Sequence, residues 1–209
     1  MTLLPRARAQ AIAAGRGGQH TLAVPLAPRL AAKIAERPWE EFLTDPTQLT
    51  NGLNDFLEAV RPDGVAVTLP SMLAEDADGT RREAALEATR RLRATFRDEA
   101  ALIAVLPSGA ADLVGVVKAF LDAGIDGVVL DGGVGGGIPA DAARTIGNVA
   151  RFHRAMAHVL GASASGLPGA EVVPLDAPVR KTGLVLTDGE VPDNTKIPAV
   201  QDWLAAVRG

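Results

Sequence analysis

The chain of 209 residues contains no cysteine and no tyrosine, and aromatic residues make up only 3% of it. The absence of cysteine excludes disulfide bonds, thiolate nucleophiles and zinc sites with cysteine ligands. No apolar run approaches about 18 residues, so the sequence predicts no transmembrane helix. Residues 1–18 lack the apolar central region of a signal peptide, so we expect an N-terminal helix and turn there, and a cytoplasmic protein.

Charge and composition limit the partners of the chain. The net charge is −4, and the arginines between residues 81 and 97 alternate with acidic residues on a predicted helix. This pattern is typical of a solvated helix face, so we expect no nucleic-acid partner. Hydrophobic residues make up 47% of the sequence, mostly Ala, Val, Leu and Ile, which favours a core of alternating strands and helices.

Short apolar runs alternate with longer amphipathic stretches along the whole chain. The predicted strands are residues 20–26, 65–69, 101–106, 126–130, 171–175 and 184–186. The predicted helices are residues 39–60, divided at Asp45-Pro46, and residues 75–97, 110–123, 139–160 and 197–207, with Gly124 as a C-terminal cap. Strands and helices that alternate without hairpin turns form parallel β/α units.

This pattern predicts a single α/β domain over residues 1–209, built as a TIM-like β/α barrel. Only six strands are predicted, whereas a complete barrel has eight, so we expect a shortened or incomplete barrel with a deletion near residues 161–168. An open, doubly wound parallel sheet is the alternative.

Four segments of the chain carry a resemblance to a known family. They are residues 6–16 (RARAQAIAAGR), 39–67, 123–133 (AGIDGVVLDGG) and 183–209. These segments resemble the uroporphyrinogen decarboxylase superfamily, which includes corrinoid-linked methyltransferases and is related to cobalamin-independent methionine synthase. The resemblance implies a β/α barrel with its site at the C-terminal strand ends; the part between residues 161 and 181 looks deleted.

The sequence departs from the family at its functional positions. The Arg-rich loop after the first strand is reduced here to Arg29 alone. Residues 69–72, which match the position of the family's essential Asp, contain no carboxylate, and residues 187–189 replace a Gly-His-Gly motif. The zinc ligands of the methyltransferases include Cys, which this chain lacks.

In a β/α barrel the loops after the strands meet at one mouth, and the candidate residues follow predicted strands. They are Arg29, Ser71, Ser108, Asp131, Asp176, Asp188 and Glu190. Arg29 is a candidate for holding a substrate carboxylate in a bidentate pair, although a surface arginine is the ordinary alternative. On an extended strand, Asp188 and Glu190 would share a side, where they would perturb each other's pKa or bind a divalent cation; a hydrophilic loop is the alternative.

Asp131 precedes a glycine-rich stretch in which Gly132 and Gly133 would let a ligand approach the backbone. Its spacing fits a phosphate-binding motif poorly, so a flexible turn or lid is favoured. His153 and His158 lie five residues apart on a predicted helix and do not share a face, so we expect helix-surface residues and no metal site. No cofactor is expected, and Ser71 and Ser108 lack the histidine partner of a catalytic triad.

Three functional hypotheses remain open. In the first, a diverged uroporphyrinogen decarboxylase-like protein binds or acts on an anionic small molecule such as a tetrapyrrole carboxylate, with Arg29 as the carboxylate ligand. Asp131 or Asp188 would then stabilise a protonated, pyrrole-like intermediate. The second is a methyltransferase that uses a corrinoid or another methyl donor, and the third is a non-catalytic protein that binds a ligand, forms a homo-oligomer or pairs with a full-length homologue.

Overall fold

The computed structural model describes residues 3–74, 76–133 and 137–209. Within these residues the α-helices are α1 (Pro5–Ala11), α2 (Pro28–Ile34), α3 (Trp39–Thr44), α4 (Pro46–Val60), α5 (Pro70–Leu73), α6 (Thr80–Phe96), α7 (Leu113–Ala123), α8 (Ala140–Phe152) and α9 (Ile197–Arg208). The strands are β1 (Thr21–Val24), β2 (Gly64–Thr68), β3 (Ala101–Pro107), β4 (Gly127–Asp131), β5 (Met156–Leu160), β6 (Gly169–Val173) and β7 (Gly183–Thr187). None of these helices is long and apolar enough to cross a membrane.

The strands form one parallel sheet that curls into a nearly closed barrel. Their order is β1-β7-β6-β5-β4-β3-β2, and every pair is parallel. The order follows the chain around the ring, without the reversal that defines a doubly wound sheet. The prediction of a shortened, TIM-like barrel is therefore confirmed.

Asp63 joins the two ends of this strand order, where β1 and β2 share no strand ladder. Its backbone N–H donates to the Ala23 carbonyl at 3.2 Å, and its Oδ2 accepts from the Ala23 N–H at 2.8 Å. Its Oδ1 accepts from Arg8 at 2.7 Å and from Arg208 at 2.8 Å. The carboxylate is almost fully buried, and two guanidinium groups supply its counter-charge.

Asp126 makes the equivalent contacts between β3 and β4. Its backbone N–H donates to the Leu102 carbonyl at 2.7 Å, and its Oδ2 accepts from the Leu102 N–H at 2.9 Å. Arg93 and Arg6 pair with its two carboxylate oxygens. Burial raises the pKa of Asp126, and the two arginines oppose that shift. Each Asp-Gly pair at the start of a strand thus ties that strand to a neighbour through one carboxylate.

The barrel has helices on only part of its circumference. Five of the seven strands are followed by at least one helix, but no helix is found in the described residues between β5 and β6 or between β6 and β7. The first of these connections covers the segment where the sequence predicted a deletion. Val172 of β6 and Val179 of the second connection are partly exposed as a result.

Three sequence predictions differ from the structure. The predicted helix over residues 139–160 is wrong in its second half, because α8 ends at Phe152 and the chain reverses at Arg154 (φ 57°) to enter β5. The missed strand raises the count from six to seven. Arg29, expected in a loop, lies in the first turn of α2, and the helix predicted from residue 75 begins at Thr80; Glu75 itself lies outside the described residues.

Candidate functional site

Arg29, Ser71 and Glu190 meet at the C-terminal end of the barrel. The Ser71 hydroxyl donates to Glu190 Oε2 at 2.9 Å, and Arg29 Nε lies 3.6 Å from Glu190 Oε1. Arg29 follows β1, Ser71 follows β2 and Glu190 follows β7. The sequence predicted each of them as a residue of the mouth. We refer to these three side chains as the mouth cluster.

The loop after β7 places Glu190 in the mouth cluster because it is tied to the chain after β1. The Val191 N–H donates to the Leu26 carbonyl at 2.7 Å, and the Leu26 N–H donates to Thr187 Oγ1 at 3.1 Å. The Thr187 hydroxyl in turn donates to the Gly189 carbonyl at 2.7 Å. Since Thr187 and Leu26 are both buried, these bonds fix the path of the loop.

Trp39, at the start of α3, supports the guanidinium group of Arg29. The Arg29 Cζ atom lies 4.4 Å from the centroid of the Trp39 ring, and that ring stacks on Phe42 with a centroid separation of 5.8 Å. Such stacking restricts the guanidinium plane while leaving its outer N–H groups available. In the part of the chain that the structure describes, the terminal nitrogens of Arg29 make no hydrogen bond.

Two buried oxygens at the C-terminal end of the barrel lack hydrogen-bond partners within the described residues. They are Glu190 Oε1, whose only partner is the ion pair with Arg29, and Thr68 Oγ1. Thr68 ends β2, three residues before Ser71, and is fully buried. Buried polar atoms without partners are uncommon, which makes these two oxygens candidate contacts for a ligand.

Sequence reasoning missed Thr68 and Trp39. Thr68 is the single polar residue of an otherwise apolar strand, GVAVT, which is a signal that could have drawn attention to it. Trp39 is one of only two tryptophans in the chain, but nothing in the local sequence indicates that it packs against Arg29.

A second group of predicted residues lies at the ends of β3 and β4. The Ser108 N–H donates to the Asp131 carbonyl at 2.9 Å, and Asp131 Oδ1 accepts from the Gly133 N–H at 2.9 Å. The Asp131 carboxylate thus caps its own turn, and Gly132 and Gly133 are exposed. Ser108 is buried and lines a cavity of about 220 Å³ with the start of α7. Residues 134–136 of the predicted glycine loop lie outside the described residues.

The structure separates Asp188 from Glu190. Both residues follow β7 instead of lying on it, and Asp188 is exposed while Glu190 is partly buried against Ser71. Asp188 is also separated from Asp131, because β5 and β6 lie between their strands in the sheet. Asp176 is exposed in the connection between β6 and β7. No group of three acidic or histidine side chains in the described residues could hold a metal ion.

The prediction that His158 lies on a helix surface is wrong. His158 lies in β5 and is 8% exposed, and its Nδ1 atom is buried without a hydrogen-bond partner. Burial lowers the pKa of His158 to about 4. His153, at the end of α8, lies 3.6 Å from Asp122 instead.

Comparison with known proteins does not identify the chain. No protein-family model matches it, and no curated protein matches it. The resemblance to the uroporphyrinogen decarboxylase superfamily therefore depends on the four segments quoted above, and the functional argument depends on the geometry of the mouth cluster.

Proposed function

We propose that this protein binds a small molecule with carboxylate groups at the C-terminal mouth of its barrel, and that Arg29 is the principal ligand. The observation that carries the proposal is the state of Arg29, which is stacked on Trp39 and paired only through Nε with Glu190. A guanidinium group held in this way presents two parallel N–H donors, the geometry that a carboxylate accepts best.

Glu190 supplies the counter-charge of Arg29 with which a ligand carboxylate would compete. Its Oε1 balances the charge of Arg29 from 3.6 Å, which exceeds hydrogen-bond distance. A ligand carboxylate that forms two direct hydrogen bonds with Arg29 would have the stronger contact. Ser71 holds Glu190 Oε2, so the glutamate would keep its place when the ligand binds.

A carboxylated tetrapyrrole is the ligand class that we propose to test first. The resemblance of residues 6–16 and 183–209 to the uroporphyrinogen decarboxylase superfamily supports this choice. The reduction of the Arg-rich loop to a single arginine favours a ligand with fewer contacts than the decarboxylases make, so we place binding ahead of turnover. No contact in the described residues favours methyl transfer.

The two tryptophans allow a direct binding experiment. Trp203 is fully buried and donates to the Val173 carbonyl, whereas Trp39 lies under Arg29. In a Trp203→Phe variant, Trp39 is the only tryptophan and its emission reports on the mouth cluster. We expect uroporphyrin to quench this emission with saturation.

Variants at Arg29 locate the binding. Arg29→Lys keeps the charge but loses the planar fork, so we expect weaker binding, and Arg29→Ala should weaken it further. Arg37→Ala is the matched control, because Arg37 is exposed three residues after the end of the same helix and its replacement removes the same charge. Equal midpoints for the Arg29 and Arg37 variants, or quenching without saturation, would contradict the proposal.

Catalysis is a separate prediction with its own assay. Decarboxylation of uroporphyrinogen should depend on Asp131 or Asp188, and we expect it to be lost in the Asp131→Asn, Asp188→Asn double variant. Because the two residues follow strands that are not neighbours, one single variant should carry nearly the whole loss. Turnover that survives in the double variant would exclude both roles and leave the binding proposal unaffected.

A further inference from the structure

His158 lines a cavity at the opposite end of the barrel. The cavity has a volume of about 490 Å³, within the range of small-molecule sites. The walls are formed by α8, by the N-terminal ends of β5, β6 and β7, and by the segment that follows α1. This places the cavity at the strand ends that are remote from Arg29, since all the strands are parallel.

The walls of this cavity are formed mainly by small residues. More than half of the lining residues are glycine or alanine, and the charged residues among them are Arg151 and Glu171, of which Glu171 pairs with Lys181 at 3.1 Å. His158 is the buried polar side chain among them, and its Nδ1 atom has no partner in the described residues. A neutral imidazole carries one N–H donor and one nitrogen acceptor, so it can hydrogen-bond a ring with groups of both kinds.

Burial also determines the charge of the imidazole. Because it lowers the pKa of His158 to about 4, the ring is neutral at pH 7. A neutral imidazole offers hydrogen bonds but no charge to a ligand, so we expect an uncharged part of the ligand to lie against His158.

A cluster of three arginines lines an adjoining cavity of about 350 Å³. The two cavities share Ala13, Arg151 and Ala155 as a common wall, and the second also includes Arg16 and Arg154. None of the three arginines forms an ion pair among the described residues; Arg151 donates only to the neutral Asn148 side chain at 3.3 Å. Three guanidinium groups without acidic partners in one place attract an anion, and guanidinium groups bind phosphate through several N–H donors.

We propose that these two cavities form one site for a small phosphorylated molecule, with its uncharged ring against His158 and its phosphate among Arg16, Arg151 and Arg154. A nucleoside monophosphate has this construction, with a planar base that carries donors and acceptors joined to one phosphate. The site is independent of the proposed carboxylate site, because the two lie at opposite ends of the strands.

Calorimetric titration of the full chain with AMP tests the proposal, and inorganic phosphate and adenosine serve as the two halves of the ligand. We expect AMP to bind more tightly than either half. In the Arg16→Gln, Arg154→Gln variant, AMP binding should weaken about tenfold, since each exposed charge contact contributes a few-fold. His158→Gln should weaken AMP and adenosine but leave inorganic phosphate unchanged.

A second arginine pair provides the matched control. Arg37 and Arg61 are exposed, and Arg61 has φ 57°, the same as Arg154. The Arg37→Gln, Arg61→Gln variant thus removes the same charge with the same backbone constraint, and AMP binding should remain within about twofold of the unmodified protein. Equal weakening by both pairs, no saturable AMP binding, or phosphate binding as tight as AMP binding would overturn the proposal.

Arg29→Ala separates this site from the mouth cluster. AMP binding that persists in this variant supports a site of its own. AMP binding that is lost with Arg29 would assign the nucleotide to the mouth cluster and overturn the proposal.

Discussion

Ser71 and Glu190 are joined by a hydrogen bond of 2.9 Å although 119 residues separate them in the chain. The bond connects the helical turn after β2 to the loop after β7. The chain that follows β1, which carries Arg29, lies between these two segments. The bond holds one oxygen of Glu190 and leaves the other, buried Oε1 facing Arg29. The position of Arg29 therefore depends on contacts among the segments that follow three different strands, β1, β2 and β7.

Glu190→Gln tests this arrangement. The amide can still accept from Ser71, but the negative charge beside Arg29 is removed. A ligand carboxylate then no longer competes with Glu190, so we expect uroporphyrin binding to tighten by about threefold, the size of a weak, partly exposed ion pair. The measurement is the midpoint of Trp39 quenching, compared with a Glu99→Gln control at an exposed position. Weaker binding in Glu190→Gln than in the control would show that the charge of Glu190 is needed to hold Arg29.

Asp63→Asn tests the junction between β1 and β2. The asparagine removes the buried counter-charge of Arg8 and Arg208. Removing one partner of a buried ion pair costs about 3–5 kcal/mol. We expect the free energy of unfolding, measured in urea, to fall by about that amount. Asp98→Asn is the control, because Asp98 is 59% exposed in its pair with Arg6 and should cost less than about 1 kcal/mol. Similar losses for both variants would contradict the assigned role of Asp63.

Much of the fold follows from local signals. Asp45-Pro46 divides α3 from α4, with Asp45 accepting from the Thr47 N–H at 2.7 Å, and Gly124 ends α7 with φ 102°. These boundaries were predictable because Asp, Pro and Gly act on the backbone within a few residues.

The strand β5 could not be predicted in the same way. The turn before it is made by Arg154 in a left-handed conformation, and arginine does not indicate such a turn in a sequence. The apolar residues of β5 then continue the pattern of α8, so the two elements merge into one predicted helix.

The candidate site, like the fold, was only partly predictable from the sequence. The order of elements was enough to bring Arg29, Ser71 and Glu190 to one end of the barrel. The stacking of Arg29 on Trp39 and the isolation of Thr68 depend on tertiary packing between distant elements, which no local pattern encodes.

The environment of His158 predicts a dependence of stability on pH. Its pKa is about 4 in the folded protein and about 6.5 in the unfolded chain, so between these values the unfolded chain binds more protons. The contribution of His158 is therefore constant above about pH 6.5, and it is lost as the pH falls toward about pH 4, by a total of about 3 kcal/mol. Urea unfolding of the protein and of His158→Gln across this interval gives the difference, in which the contributions of other groups such as Asp126 cancel. If the difference in unfolding free energy between the two proteins stays constant with pH, the pKa of His158 is the same in the folded and unfolded states. The imidazole would then be hydrated, and the His158 cavity would be open to bulk water.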